Sequence, residues 1–180
     1  MLRAAVRGDE SAFARLWRDA HPLLLRYLRV AAGDGAEDVA SEVWLEVAVR
    51  LARFRGNEQD FRAWLFTTAR RRVTDRRRYH ARHPVVLADE TPGLDHAATD
   101  DTAAAALEDM STQAAVALIA TLPRDQAEVV MLRVVIGLDP GQVARIVGKR
   151  PGTVRVTVHR ALRTLSDRLD MLREQGRVPL

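Results

Sequence analysis

Helical periodicity breaks off between residues 83 and 111, and this interruption limits how the chain can fold more than any other feature. Apolar residues recur every three or four positions on both sides of it, which predicts amphipathic helices. The interruption contains prolines, a glycine and seven acidic residues, but no Lys or Arg. We therefore predict an all-α fold of two small helical domains, 1–82 and 112–180, joined by an acidic flexible linker at 83–111. Within the linker, only 103–107 could form a short helix, and the first helix predicted after the linker covers 114–122.

The two helical segments are basic, whereas the linker is acidic. Residues 1–82 hold 17 Lys and Arg against 11 Asp and Glu, and residues 112–180 hold 11 against 6. Two basic modules that flank an acidic connector indicate a polyanionic partner, and the pattern fits nucleic acid. A membrane surface would also attract cations, but no basic amphipathic terminal helix is evident, so we expect no membrane partner.

Several classes of protein are excluded by what the sequence lacks. The chain has no cysteine, which excludes disulfides and thiolate metal sites and makes the cytoplasm the expected compartment. The N-terminus has no apolar signal core, and the longest uncharged run, 110–123, is too short to span a bilayer. His80 and His83 lie three residues apart near a helix end and no cysteine accompanies them, so we expect no metal site. Without a phosphate-binding glycine loop or a plausible triad, we expect no cofactor and no enzyme activity.

Residues 139–163 carry the pattern of a helix-turn-helix. Asp139 and Gln142 form a capping box that begins the first helix, and Gly148 permits the tight turn after it. The small side chain of Ala144 lets the first helix cross closely over the second, which is predicted at 151–172. The shared core is predicted to consist of Val143, Val147, Val154 and Val158, continued along the final helix by Leu162, Leu165 and Leu169.

The opposite face of this motif presents residues suited to DNA. The candidates are Lys149, Arg150, Thr153, Arg155, Val156, Thr157, His159, Arg160 and Arg163. Arg pairs bidentately with guanine in the major groove, and Val can meet a thymine methyl group. Lys149, Thr153 and Arg163 are better placed for phosphates. The alternative is a helical hairpin with a solvated basic face.

Acidic residues recur at every fourth position near and within a helix predicted at 36–51. Asp34, Asp38, Glu42 and Glu46 follow this spacing, and residues 34–46 contain no Lys or Arg. Compensation of the helix dipole explains the acids near the start of the helix but not Glu46. Two interpretations stay open, which are a solvated acidic face and a docking stripe for a basic protein partner.

The next predicted helix, 61–78, follows a predicted loop at 53–60 and has the opposite charge. Residues 61–82 contain eight arginines, of which 70–72 and 76–78 cover nearly the whole circumference of the helix. Arginine clustered in this way indicates contact with phosphates. Trp64 on the same helix could be a stacking platform for bases, although a core position suits a Trp better.

Motifs in two separate segments resemble one protein family. The first set is Arg7-Gly8-Asp9-Glu10 with Phe13, Ala36-Glu37-Asp38-Val39, Glu42-Val43-Trp44, Phe54-Arg55-Gly56, and Phe61-Arg62-Ala63-Trp64-Leu65-Phe66 with Ala69-Arg70 and Asp75. The second set is Leu122-Pro123, Gln126, Glu128 and Gly152-Thr153-Val154-Arg155. They are similar to the second and fourth conserved regions of bacterial RNA polymerase sigma factors of the extracytoplasmic-function (ECF) group, in the order found in that family.

The resemblance implies a subunit that binds core RNA polymerase, recognises the −10 and −35 promoter elements and initiates transcription, with an anti-sigma factor as a further partner. Implied polymerase contacts are Asp38, Glu42, Trp44 and Glu46. Implied −10 contacts are Asn57, Glu58, Arg62, Trp64, Arg70, Arg71 and Arg76. Of these, Asn57 and Glu58 would lie near an extruded base. The nine candidates on the helix-turn-helix would bind the −35 element.

Two other functions fit parts of the sequence. An autonomous helix-turn-helix regulator would explain the C-terminal domain, but not an arginine-rich helix beside a separate acidic stripe. A helical interaction adaptor would need no DNA at all. Promoter-specific transcription with core polymerase distinguishes these alternatives from a sigma factor.

Overall fold

The computed structural model describes the backbone of residues 1–83 and 103–174, with side chains at 1–83 and 112–174. The helices are α1 (Leu2–Val6), α2 (Glu10–Ala32), α3 (Ala36–Arg50), α4 (Glu58–Arg82), α5 (Ala103–Ala120), α6 (Arg124–Val130), α7 (Pro140–Val147) and α8 (Pro151–Glu174). Within these ranges no strand occurs, which confirms the all-α prediction. None of the described helices is long and apolar enough to cross a bilayer.

Helices α1 to α4 form the N-terminal module, in which α2 packs on α3 and both pack on α4. The apolar spacing in the sequence places Leu24 and Leu28 of α2, Val43 of α3 and Leu65 of α4 in the core, all fully buried. Helix α2 continues through Pro22 without interruption.

Helix α4 begins earlier than the sequence pattern predicts, because the segment expected to be a loop contains a capping box. The backbone N–H of Asp60 donates to the Asn57 side chain at 3.0 Å, and the backbone N–H of Asn57 donates to the Asp60 carboxylate at 3.0 Å. This reciprocal pair satisfies two N–H groups at the helix start. The helix therefore starts at Glu58, and the loop predicted for 53–60 shrinks to the residues around Gly56.

The C-terminal module consists of α5 to α8. Helix α5 is one continuous helix, whereas the sequence pattern suggested a short helix at 103–107 and a separate one at 114–122. The rest of the predicted linker, 84–102, lies outside the described residues. After α6 the chain makes a π-helical turn, Met131–Val135, and then reaches α7.

Helices α7 and α8 form the predicted helix-turn-helix. The Asp139 side chain accepts hydrogen bonds from the N–H groups of Gly141 and Gln142, both at 2.8 Å, and the capping box is complete. Gly148 ends α7 with φ +70°, a backbone conformation that side chains with a Cβ disfavour. These two features confirm the predicted start and end of α7.

The core between α7 and α8 differs from the prediction at one position. Val143, Val147 and Val154 are buried and Val158 is half-buried, as expected. Leu162, however, is 43% exposed, and Ala161 is fully buried in its place. Ala161 lies seven residues after Val154, so it shares the face of Val154 on a straight helix, and Leu162 is turned toward solvent.

Candidate nucleic-acid and protein interfaces

The outer face of α8 is free of core contacts and carries most of the predicted DNA-binding side chains. Helical spacing places Val156, His159, Arg160 and Arg163 opposite the buried face of Val154, and all four are exposed. Also exposed are Arg150, Thr153 and Arg155, while Thr157 is half-buried. A helix that shows one cationic face with a Val and a His has the side chains needed for base edges and phosphates of the major groove.

One predicted phosphate contact has a partner inside the C-terminal module. Lys149 Nζ lies 2.8 Å from the Asp125 carboxylate, which ties the turn after α7 to α6. The hydrogen bond from Lys149 lowers the pKa of Asp125 below its ordinary value. Lys149 therefore helps to orient the turn from which α8 emerges, and DNA would have to compete with Asp125 for it.

Three arginines of α4 are paired with acidic residues of α3. Arg71 and Arg72 both donate to the Glu46 carboxylate, Arg72 at 2.8 Å. Arg76 lies 3.2 Å from Asp38. These pairs join α4 to α3, so the acidic and the arginine-rich helices hold each other. Each of these arginines keeps between 36% and 50% of its side chain exposed, which leaves room for a further anion.

Glu46 does not share the solvent-facing side of the acidic stripe. It is 8% exposed, and Arg50 lies 2.8 Å from it in addition to the two arginines of α4. Burial raises the pKa of Glu46, but the hydrogen bonds from Arg71 and Arg72 outweigh this and hold the pKa below its ordinary value. In this structure Glu46 therefore anchors the arginines.

Trp44, predicted with Glu46 to contact the polymerase, also faces the interior of the module. It is 8% exposed and its ring lies edge-on to Phe13, with centroids 6.0 Å apart. Its indole Nε1 donates to His21, which stacks on Trp17. Trp44 thus belongs to an aromatic cluster between α2 and α3.

The exposed side of α3 continues the acidic stripe with two apolar residues that the sequence pattern missed. Asp38 and Glu42 keep 73% and 50% of their side chains exposed. Leu45 and Val49 follow at helical spacing and are 69% and 81% exposed. We define these four residues as the α3 stripe. Large apolar side chains held this far in water beside acids are typical of a protein-binding surface.

The residues predicted to lie near the −10 element occupy different environments. Asn57 and Glu58 are exposed at the start of α4, where Asn57 caps the helix. Trp64 is half-buried and stacks on Phe54, with centroids 5.3 Å apart and planes at 26°. Phe54 therefore covers one face of the Trp64 ring, which agrees with a core position for that face.

Contacts between the two modules involve Arg62 and Arg70, two of the predicted −10 contacts. Tyr27 and Arg70 both donate to Oε1 of Glu128, each at 2.9 Å. The Gln59 amide donates to the Gln142 side chain at 3.1 Å. Arg62 donates to the carbonyl of Ile136 at 3.3 Å. We call this set of contacts the module interface. It joins α2 and α4 to the segment from α6 to α7.

Comparison with known proteins identifies the family. The family description "Sigma-70 region 2" matches residues 13–83, and "Sigma-70, region 4" matches residues 112–165. The ECF RNA polymerase sigma factor ShbA of Streptomyces griseus is 35% identical over 184 aligned positions, which cover 97% of this chain and 94% of that protein. The chain belongs to the ECF sigma factors.

Further matches agree with this sigma factor assignment. The ECF sigma factor SigD of Mycobacterium tuberculosis is 34% identical over 175 positions, covering 94% of this chain and 82% of that protein. The solved structure of the sigma factor RpoE with the anti-sigma factor NepR from Bartonella quintana shares the fold, with a TM-score of 0.63 at 22% identity over 88% of this chain and 97% of that one. The resemblance derived from the motifs is thereby confirmed, and it is favoured over an autonomous regulator.

Proposed function

We propose that this sigma factor binds core RNA polymerase through the α3 stripe, contacts the −10 element through α4 and the loop before it, and reads the −35 element with α8. The observation that carries the proposal is the outer face of α8, a cationic and exposed surface on a helix-turn-helix whose cap and turn are both intact. Residues 1–82 would act as the region 2 domain, 83–111 as the linker and 112–180 as the region 4 domain.

Chemistry is left to the polymerase in this proposal. Among the residues that the structure describes, no group of His, Cys, Asp or Glu is placed to hold a metal ion. The sigma factor would act by binding alone, in the cytoplasm, where core polymerase and promoter DNA meet. An anti-sigma factor is the proposed regulatory partner, since RpoE was solved in complex with one.

Reconstitution with core polymerase tests the proposal. The purified chain is mixed with core enzyme, and run-off transcription is measured on a library of promoters with randomised −10 and −35 elements. We expect a selected set of transcripts that depends on both elements. A paired substitution of Arg155 and His159 to Ala should abolish selection at −35, whereas Asp167→Ala at an exposed position further along α8 should not. Transcription that ignores both elements would refute the proposal.

A further inference from the structure

The last turns of α4 extend beyond the core of the N-terminal module. Residues 78–83 are all exposed, and the last buried residue of the helix is Val73. The side chains of Arg82 and His83 are hydrogen-bonded only to carbonyl groups one turn earlier in the same helix. This end of α4 is therefore held by its own backbone and offers its side chains to a partner.

Every charged side chain at this end is basic. After Asp75, the remaining residues of α4 include four arginines and no acid. Arg76 and Arg77 are bonded to groups of α3 and α2. Among the residues that the structure describes, Arg78 and Arg82 have no acidic partner. Two exposed cations with no acid beside them indicate an anionic partner.

Tyr79 shows that this end does more than compensate the helix dipole. Basic side chains near a helix C-terminus stabilise it, which alone would account for Arg82. Tyr79, however, is 57% exposed, and its ring stacks on His83 with centroids 4.6 Å apart and planes at 28°. A large exposed aromatic ring between cations is typical of a nucleic-acid surface, where cations bind phosphates and the ring packs on sugars or bases.

Arg78 and Arg82 continue the line of the predicted −10 contacts on α4. Trp64, Arg71 and Arg78 follow one another at intervals of seven residues and therefore share one face of the helix. Arg82 lies one turn further along that face, and Asp75 lies between the two parts of the line. At about 1.5 Å per residue, Arg82 is about 17 Å beyond Arg71, enough to pass about five base pairs of duplex.

The direction of α4 determines which DNA its end meets. In the proposed function, Asn57 and Glu58 at the start of α4 lie near an extruded base of the −10 element. The other end of the helix then points away from the opened DNA, and the module that reads −35 follows it in the chain. DNA between the two elements stays paired. The end of α4 therefore faces the duplex immediately upstream of the −10 element.

We propose that residues 78–83 form a clamp on this upstream duplex, in which Arg78 and Arg82 bind phosphates and the stacked rings of Tyr79 and His83 pack on the sugars. We call these residues the α4 clamp. The inference rests on the proposed function for the position of α4 on the −10 element. It goes beyond that function because the clamp binds DNA outside both promoter elements. Phosphates and sugars carry no base identity, so the clamp adds affinity to every promoter without changing promoter choice.

Holoenzyme made from the full chain and core polymerase tests the clamp on two DNA probes. Both contain the −10 element with its non-template strand unpaired. The short probe stops at the upstream edge of that element, whereas the long probe adds ~10 base pairs of upstream duplex without a −35 element. Arg78→Ala with Arg82→Ala is the test variant, because Ala preserves the helix. Arg15→Ala with Arg18→Ala is the matched control, since it removes two charges from exposed positions on α2.

The parent and the control should both bind the long probe more tightly than the short one. In the test variant, affinity for the long probe should fall about tenfold and its salt slope by about two units, because two phosphate contacts are lost. Binding of the short probe should not change. Tyr79→Ala should lower affinity for the long probe by a smaller factor and leave the salt slope as it is, because it removes no charge.

Equal losses on both probes would overturn the proposal, since the two arginines would then contact the −10 element itself. Unchanged binding of the long probe, or the same loss in the control, would overturn it as well. So would an equal gain in the parent from a single-stranded extension of the same length, which would indicate base stacking on Tyr79. The short probe tests the proposed function separately: a parent that ignores the −10 sequence there refutes that function, whereas the clamp is judged by comparing long and short probes of one −10 sequence.

Discussion

The indole Nε1 of Trp44 donates a hydrogen bond to Nδ1 of His21, 3.1 Å away. As an acceptor, Nδ1 carries no proton, so this contact requires a neutral imidazole. Burial lowers the pKa of His21, and Glu37 opposes this only in part. A folded pKa below the unfolded value means that the contact's stability is fully present above about pH 6.5 and is lost as pH falls through the folded pKa.

Tryptophan fluorescence and thermal unfolding between about pH 7.5 and 5.5 check this expectation. The melting temperature should fall toward the acid end, together with a change in emission from Trp17 and Trp44. His21→Gln should flatten both responses. His159→Gln, at an exposed position on α8, is the control that should not. An unaltered acid response in His21→Gln would contradict the assignment.

Removal of the Glu46 carboxylate should destabilise the N-terminal module. Glu46→Ala leaves Arg71 and Arg72 without their shared acceptor, and we expect a loss of about 1–3 kcal/mol, less than for a fully buried pair because both arginines are partly solvated. Glu42→Ala, with a 3.5 Å contact to Arg72 at half-exposed positions, should cost about 0.5 kcal/mol or less. Urea unfolding of the two variants measures the difference.

Low pH should remove the stabilisation that the Glu46 carboxylate gives to the N-terminal module. The pKa of Glu46 is held below its ordinary value, so its stabilisation is present above the ordinary carboxyl range and is lost as pH falls through the lowered pKa. The stability of Glu46→Ala should consequently approach that of the parent at low pH. A constant difference between them at all pH values would rule out the ion pairs as the cause.

Local signals predicted the helices well, but they gave no information on contacts between distant segments. Asp139, Gln142 and Gly148 define α7 because capping and left-handed turns depend on residues a few positions apart. Glu46 follows the four-residue acidic spacing, yet it is buried because arginines 25 and 26 residues later fold back on it. Leu162 was expected in the core because it is apolar, whereas the helical rotation from Val154 places Ala161 on the buried face instead.

Helical periodicity could not predict the module interface for the same reason. Glu128 and Tyr27 lie 101 residues apart, and each has an ordinary local role in its own helix. Leu45 and Val49 could have been noticed, because large apolar residues at helical spacing after Asp38 and Glu42 extend one face. The roles of these side chains toward polymerase and DNA stay predictions.

The α3 stripe should be needed for polymerase binding. Asp38→Arg with Glu42→Arg should weaken affinity for core enzyme about tenfold or more, because a basic partner would then face like charge. Leu45→Ser with Val49→Ser should also weaken it, with little loss of stability since both side chains are exposed. A competition assay against labelled sigma measures affinity, and circular dichroism checks helicity. Asp19→Arg, an exposed position on α2, is the control.

Promoter choice should separate two arginines of α8. Arg155→Ala should cost about 1–3 kcal/mol on the preferred −35 sequence and relax one base position. Arg163→Ala should weaken binding evenly across sequences and lower the salt slope by about one unit. Both variants are measured against a randomised −35 library at two salt concentrations. If Arg155→Ala weakens all sequences equally, that residue contacts phosphate instead.

Two glycines at the helix-turn-helix should respond in opposite directions. Gly148 has φ +70° and no atom near its missing Cβ, so Gly148→Ala should cost about 1–2 kcal/mol through backbone strain alone. Gly152 lies in the first turn of α8 with no such φ and with open space around it. Gly152→Ala should stabilise the chain by about 0.4–1 kcal/mol. Thermal unfolding of both variants measures whether each substitution raises or lowers the stability of the chain.

The position of Glu128 along the chain also matters during synthesis. Arg70 is translated 58 residues before Glu128. At about 5–20 residues per second, a ribosome takes roughly 3–12 s to cover that distance. During this interval the nascent N-terminal module has its arginine-rich helix but not the Glu128 carboxylate that accepts a hydrogen bond from Arg70. Each newly made molecule therefore passes through a brief stage in which Tyr27 and Arg70 lack their shared acceptor.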